Sequence, residues 1–353
     1  MDQLKAVVVG AGAGGMLSAK ALMASPRFHL VGIADTSPQA LARLDDVDFR
    51  DVCKFGSYQE MYSNVQADVV CVSTYAPTHL EVTQAAISVH VKGLLVEKPL
   101  GDSTAAGAEI LATARAHQLP LVTPHGLMAR DAPLAVLNEV RNGAIGALRV
   151  VEMECTGWDI INAGIHWIQY FIMLALPQQV DRVLTACDSQ TRTYRDGLQV
   201  ETEAITLVTC TNGTRLVLNT GDYVPIARDN TACLMRIVGE QGYIEYCAWQ
   251  DEYRLVSPRG GDRVISVEPS EVTGHRRHLE HLADMVEGGA LDYEVPESSL
   301  QALEVVEAAY LSNRTGASVS LPLATYKVPS STDWDPGRPY TGTRGGRDGR
   351  KLP

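Results

Sequence analysis

No stretch of this 353-residue chain is apolar for long enough to cross a bilayer. The longest, Trp167 to Leu176, carries Gln169 and falls short of the roughly 20 residues that a spanning helix needs. Positive charge is also short. Thirty Lys and Arg against 42 Asp and Glu leave a net charge of -12. That argues against nucleic acid as a partner, because phosphates call for a basic face, and against an anionic membrane surface. Cysteine is sparse and unpatterned. The seven thiols are odd in number and none forms a CxxC pair, which fits reduced cysteines in a cytoplasm. Zinc-type spacing is missing, so no metal is expected. A strand begins within a few residues of Met1, so no signal peptide is expected ahead of the fold.

What is present is ordinary for a globular protein of two domains: 45% hydrophobic residues and 20% charged ones. From residue 4 to 123, short apolar strands alternate with helices of about a dozen residues. Ala6–Val9, Leu30–Ala34, Phe55, Ala67–Ser73, Leu94–Val96 and Leu119–Thr123 read as strands; Met16–Ala24, His79–Val91 and Ser103–Gln118 read as helices. This alternation implies a parallel sheet with right-handed crossovers. After Pro124 the texture changes. Two helices, near Pro133–Asn142 and Ile160–Ala175, flank a strand at Leu148–Glu154. Two-periodic runs follow, with Asn212-Gly213 as a hairpin signal, and helices at His275–Glu287 and Ser298–Ser312 close the series.

The first strand ends in Gly10-x-Gly12-x-x-Gly15, between a strand and a helix, the context in which this motif means dinucleotide binding. Gly10 allows the tight turn, and Gly12 lets a pyrophosphate approach the backbone at Ala13 and Gly14. Asp35 ends the second strand 20 residues after Gly15, where a carboxylate can accept from ribose hydroxyls. An acid there repels a 2′-phosphate, and no Arg follows closely, so NAD is favoured over NADP. Asp35 as a helix N-cap before Pro38 is the competing reading. The expected fold class is therefore α/β: an N-terminal Rossmann dinucleotide-binding domain (1–124), a C-terminal α/β domain with a large, mostly antiparallel open sheet (125–327), and an extended tail (328–353).

Glu97-Lys98-Pro99 closes the apolar run Leu94-Leu95-Val96. Lysine is rarely placed at the buried carboxyl edge of a parallel sheet, and that edge is where ligands bind in open α/β folds. Further along, Asp159, Asn162, His166 and Tyr170 are spaced by three, four and four, which puts them on one helical face opposite Ile161, Ile165, Ile168 and Ile172.

In order along the chain, the glycine loop, Asp35, Thr74-Tyr75-Ala76-Pro77-Thr78-His79, Glu97-Lys98-Pro99, Gly143-Ala144-Ile145-Gly146 and Gly164-Ile165-His166 resemble the glucose–fructose oxidoreductase / inositol dehydrogenase (Gfo/Idh/MocA) family. The resemblance spans about residues 4 to 325. It implies an NAD-dependent oxidoreductase that acts on a secondary alcohol or ketone of a sugar, sugar derivative or cyclitol, and an open sheet that forms homodimers or homotetramers. It implies that Lys98 contacts the reacting hydroxyl and nicotinamide, that His166 is the acid/base, and that Arg130 lies near the pocket. It places Thr74, His79 and Glu97 at the cofactor. His125, Trp158, Asp159 and Tyr170 are the further candidates for substrate contact, and Asn162 is the candidate for orienting His166.

The chain departs from the family at two places. Tyr75 and Ala76 replace Pro and Asn of the common Thr-Pro-Asn-x-x-His, and Asn162 stands where many members have Asp, four residues before the His. Asparagine can orient an imidazole but supplies no charge. Three readings stay open: His166 acts with Lys98 alone, Asp159 supplies the charge from a turn away, or bound NAD is recycled in an elimination or hydrolysis. A dinucleotide sensor without catalysis is a further alternative. His275, His278 and His281 lie at i, i+3, i+6; with Arg276 and Arg277 between them, they read as a polar face near a subunit contact rather than a metal site.

Overall fold

The computed structural model describes residues 3–45, 47–188, 193–195, 198–226 and 231–323. Two compact units divide the chain: Met1–Ala129 with Val272–Leu300, and Arg130–Glu271 with the residues from Gln301 onward.

The first unit carries a six-stranded parallel sheet. Its strands are β1 (Leu4–Val9), β2 (Phe28–Ala34), β3 (Cys53–Phe55), β4 (Val69–Val72), β5 (Gly93–Val96) and β6 (Leu121–Val122), in the order β3-β2-β1-β4-β5-β6. The helices α1 (Ala13–Ala24), α2 (Pro38–Ala42), α3 (Tyr58–Asn64), α4 (His79–Ser88) and α5 (Thr104–Ala116) connect them. Val7, Val8, Val69, Val70, Leu94 and Leu95 are wholly buried, as expected of strands covered on both faces. The order reverses between β1 and β4, so the carboxyl ends of these strands flank the switch point at which such sheets bind ligands. Caps fix the helix starts: Ser57 Oγ accepts from Glu60 N and Ser103 Oγ from Ala106 N. The helix after the glycine loop begins at Ala13, three residues earlier than its apolar pattern suggests.

The expected boundary at Pro124 is corrected in one respect. The helix His275–Val286 belongs with the first unit: Leu279, Leu282, Ala283 and Met285 join the core formed by β1, β2 and α1. Arg27 ties it down through Glu280, Asp284 and Glu287. Each of the three histidines has a partner within the chain. His275 meets Glu97, His278 the His125 carbonyl and His281 Asp292. Periodicity showed an amphipathic helix but could not say which apolar surface it would cover.

The second unit holds α6 (Asp131–Arg141), β7 (Leu148–Thr156), a π-helical turn (Ile160–Gly164) and α7 (Ile165–Ala175). Strands β8 (Val180–Cys187), β9 (Thr193–Arg195), β10 (Leu198–Val200), β11 (Glu203–Cys210), β12 (Arg215–Gly221), β13 (Cys233–Gly239), β14 (Tyr243–Ala248), β15 (Glu252–Ser257) and β16 (Gly261–Ser266) follow. The helix His275–Val286 is α8, Glu294–Thr315 is α9, and Val319–Ser320 is β17. Nine strands form one sheet in the order β16-β15-β14-β13-β7-β12-β11-β8-β17, in which only β7 and β12 pair in parallel. The Asn212-Gly213 hairpin joins β11 to β12, with Gly213 at φ +85°. One sheet face is buried. The other leaves Leu184, Ile205 and Leu234 exposed. The expected tail, 328–353, lies outside the described residues.

Candidate functional site

The glycine loop is shaped by what its residues lack. Gly10 has φ +99°, and a Cβ there would lie 2.4 Å from the Ser73 carbonyl oxygen. A Cβ on Gly15 would lie 1.7 Å from the Gly10 carbonyl oxygen, so α1 can approach β1 only without a side chain. Around Gly12 nothing lies within 4 Å of such a Cβ. The first turn of α1 has neither an acidic residue nor a side-chain cap, so the N–H groups of Ala13 and Gly14 and the positive end of the helix are left for an anion. These residues fit a dinucleotide pyrophosphate.

Asp35 sits at the end of β2 with both oxygens engaged. Oδ2 accepts from Ala11 N at 2.7 Å and Oδ1 from Ser37 N at 2.7 Å. The cap of α2 is Ser37, whose Oγ accepts from Ala40 N, so the N-cap reading of Asp35 does not hold. Each carboxylate oxygen keeps a second lone pair, which suits a ribose hydroxyl.

The residues after β4 and β5 are stapled together. His79 is buried, with Nδ1 3.0 Å from the Pro99 carbonyl and Nε2 3.0 Å from the Thr74 carbonyl. Burial lowers its pKa despite those bonds, so at neutral pH the ring donates one proton to one of the two carbonyls. His79 therefore positions Thr74 and Pro99 and is itself too enclosed for the cofactor contact expected of it. Glu97 is 8% exposed; its Oε2 accepts from Lys98 N at 3.2 Å and its Oε1 lies 2.6 Å from His275 Nε2. Burial alone would raise the Glu97 pKa, but the bond to His275 and the charges of His275 and Lys98 outweigh it and hold the carboxyl below its ordinary value. Lys98 is half-buried between buried neighbours at the carboxyl edge of β5.

His125 is placed differently from its expected pocket position. It is fully buried, its Nε2 lies 2.8 Å from Ser299 Oγ, and burial, then the charges of His278 and Lys98, pushes its pKa well down. Tyr170 is likewise corrected. It has no exposed surface, and its hydroxyl donates to the Pro133 carbonyl at 2.7 Å, so it is core of the second unit rather than pocket wall.

On α7 every residue from Ile165 to Ala175 is buried except His166. The single-face stripe expected through Asp159, Asn162 and His166 is broken, because Ile160–Gly164 winds as a π-turn with a wider period. Asp159 caps that turn: Oδ1 accepts from Asn162 N at 2.7 Å and Oδ2 from Asn162 Nδ2 at 3.2 Å. Trp158 just ahead is half-buried. Arg130 lies 5.0 Å from the centre of the Trp249 ring, and that ring lies 5.6 Å from Trp167, the neighbour of His166. Arg130 and this aromatic pair form a cation–π cluster beside the imidazole's helix.

Glu201 and His275 carry structural weight that the sequence did not reveal. Glu201 is 1% exposed; Oε1 accepts from Ile160 N at 2.7 Å and Oε2 from the Tyr310 hydroxyl at 2.6 Å. Burial and then the nearby Asp159 push its pKa up to about 7. No local spacing marked it, since its partners come from the π-turn and α9. Glu201 holds its proton more tightly folded than unfolded. Its contribution to stability is full below the unfolded value near 4.5 and is lost as pH rises through about 7. Glu201→Gln cannot lose it. The unmodified protein is expected to fall in stability relative to that variant from pH 5 to pH 8 by about 1–3 kcal/mol. Urea denaturation of both at each pH measures the difference, and parallel curves contradict the assignment.

Comparison with known proteins adds to this geometry. The family model for the oxidoreductase family's NAD-binding Rossmann fold matches residues 4–125, and the model for its C-terminal alpha/beta domain matches residues 154–321. The chain belongs to the Gfo/Idh/MocA oxidoreductase family. The family description gives the first unit its ligand, NAD. Among individual Gfo/Idh/MocA relatives, trans-1,2-dihydrobenzene-1,2-diol dehydrogenase of Oryctolagus cuniculus is 26% identical over 36% of this chain and 44% of its own length. Inositol 2-dehydrogenase of Acidothermus cellulolyticus is 32% identical over 39% and 41%. The chain thus spans less than half the length of the curated relatives it matches. An Agrobacterium radiobacter oxidoreductase solved with NAD+, L-tartaric acid and magnesium superposes with TM-score 0.75 at 19% identity, over 90% of this chain and 98% of that one. The WlbA dehydrogenase of Bordetella pertussis, solved with NADH and UDP-GlcNAcA, gives TM-score 0.73 at 18% identity, over 91% and 100%. At these identities the likeness is one of fold.

Proposed function

We propose that the protein is an NAD-dependent dehydrogenase moving a hydride between a secondary alcohol or ketone of a sugar, sugar derivative or cyclitol and nicotinamide. The observation that carries this reading is Lys98, set at the carboxyl edge of β5 on the same sheet as the open cradle at Gly12. Gly12, Ala13, Gly14 and Asp35 hold the dinucleotide, whose nicotinamide supplies the hydride acceptor. The Lys98 ammonium hydrogen-bonds the reacting hydroxyl and lowers its pKa, and a nitrogen of the His166 imidazole takes the proton. Asn162 and Asp159 fix the start of that helix, while Arg130 with Trp249 orients neighbouring substrate oxygens. The relatives' names speak for ring diols, one a dihydrobenzene diol and the other inositol.

Among the described residues no helix is long and apolar enough to cross a membrane. All seven cysteines are free thiols, which supports a reducing, cytoplasmic setting. The exposed Leu184, Ile205 and Leu234 on the open face of the nine-stranded sheet support a homodimer or homotetramer built on that face.

The test is a screen of sugars, sugar acids and cyclitols with NAD, read by NADH absorbance and by mass spectrometry. NADH formation with one class of substrate, abolished in Lys98→Ala, is the expected result. Substrate consumed without net NADH would instead show recycled NAD in a lyase or glycosidase, a reading that Asn162 in place of Asp keeps in view. NAD binding with no turnover of any substrate would favour a sensor.

A further inference from the structure

We propose that His275 is a positioning residue for dinucleotide binding, holding the Glu97 side chain away from the anion cradle at the start of α1. Glu97 stands beside that cradle. A Cβ on Gly14, the second residue of α1, would be 3.1 Å from Glu97 Oε1. A carboxylate is itself a good ligand for the free N–H groups of a helix N-terminus. The first turn of α1 has no acidic side chain of its own to fill that role. Left without a partner, Glu97 is an internal competitor for the site meant for a pyrophosphate.

Two bonds prevent this. Glu97 Oε2 accepts from Lys98 N, and Oε1 is taken at 2.6 Å by His275 Nε2. The second bond is well enclosed, with side-chain exposures of 15% for His275 and 10% for Glu97. His275 is the first residue of α8, which reaches the sheet from far along the chain and packs within the same compact unit. Its neighbours are equally fixed: Gly274 N donates to the Ala129 carbonyl and His278 Nε2 lies 3.1 Å from the His125 carbonyl. The ring therefore arrives at Glu97 on a rigid frame. With His275 in place, that bond and the neighbouring charges outweigh burial and hold the Glu97 carboxyl below its ordinary value, so the group restrained beside the cradle is an anion.

The inference rests on the reading of the first unit as an NAD site, and its test separates the two. NADH binding is followed by fluorescence on the full-length protein and on His275→Ala, His275→Gln and the double variant His275→Ala/Glu97→Gln, with far-UV circular dichroism to verify folding. His275→Ala is expected to weaken NADH by about tenfold, the loss of one hydrogen bond to a charged group. His275→Gln keeps an N–H donor and should bind nearly as the unmodified protein does. The double variant removes the competing charge and should recover affinity. If His275→Ala does not fold, His275→Asn, whose amide is too short to reach Glu97, replaces it. Unchanged binding in the truncated variant, or no recovery in the double variant, overturns the inference. Failure of the unmodified protein to bind NADH overturns the NAD reading instead.

Discussion

His166→Ala is expected to lower turnover by about two to four orders of magnitude, the range associated with one acid/base group, while NADH affinity stays unchanged. The imidazole is the one side chain on α7 with solvent access, because the other ten residues of that helix are buried. The helix is held by the buried Ile165, Trp167, Ile168 and Phe171, and the His166 ring lies edge-on to Trp167 with 6.5 Å between ring centres. Its position is set from below, where Asp159 and Glu201 take the N–H groups of Asn162 and Ile160. Truncating the ring therefore removes a proton acceptor and leaves the helix in place. Steady-state rates with the substrate found in the screen decide the matter, and a variant within a few-fold of the unmodified rate would remove His166 from the mechanism.

Gly15→Ala is expected to abolish NADH binding and to destabilise the fold by about 3 kcal/mol or more, because the new methyl group would overlap the Gly10 carbonyl oxygen. The two obstructing atoms are both backbone, so no rotamer change relieves the overlap. Gly12→Ala makes the contrast. Its φ is -73° and no atom lies within 4 Å of the added Cβ, so the protein should fold normally. The methyl group would stand where the pyrophosphate must approach, so NADH affinity should drop all the same. Thermal melts and NADH titrations of the two variants separate packing from ligand approach. Equal stability in both would contradict the close contact between α1 and β1.

The first sheet was legible in the sequence because its signals are local. Strands such as Val69–Val72 are short apolar runs, and the glycine motif and Asp35 stand at fixed offsets from them. Glu97-Lys98-Pro99 was legible for the same reason. The hairpin at Asn212-Gly213 and the two-periodic runs likewise revealed the antiparallel sheet. Pairings over long distances were not legible. Glu201 meets Ile160 and Tyr310, and Glu97 meets His275 across 178 positions; no periodicity encodes such partners. The helical stripe failed for a geometric reason. A 3.6-residue wheel does not carry across the π-turn that separates Asp159 and Asn162 from His166, and Tyr170, one regular turn after His166, is core because α7 is buried at every residue but His166.

The first unit's discontinuity also bears on how the chain is made. When Ala129 leaves the ribosome all six strands of the parallel sheet have been synthesised, but Leu279, Leu282 and Met285, which cover one of its faces, have not. The nascent polypeptide must carry that oily surface through the synthesis of Arg130–Glu271, a window in which chaperones and aggregation compete for it. Completion of the dinucleotide half thus waits until Val272–Leu300 has been made, and a product terminated before it would be a substrate for quality control rather than a working NAD-binding fragment.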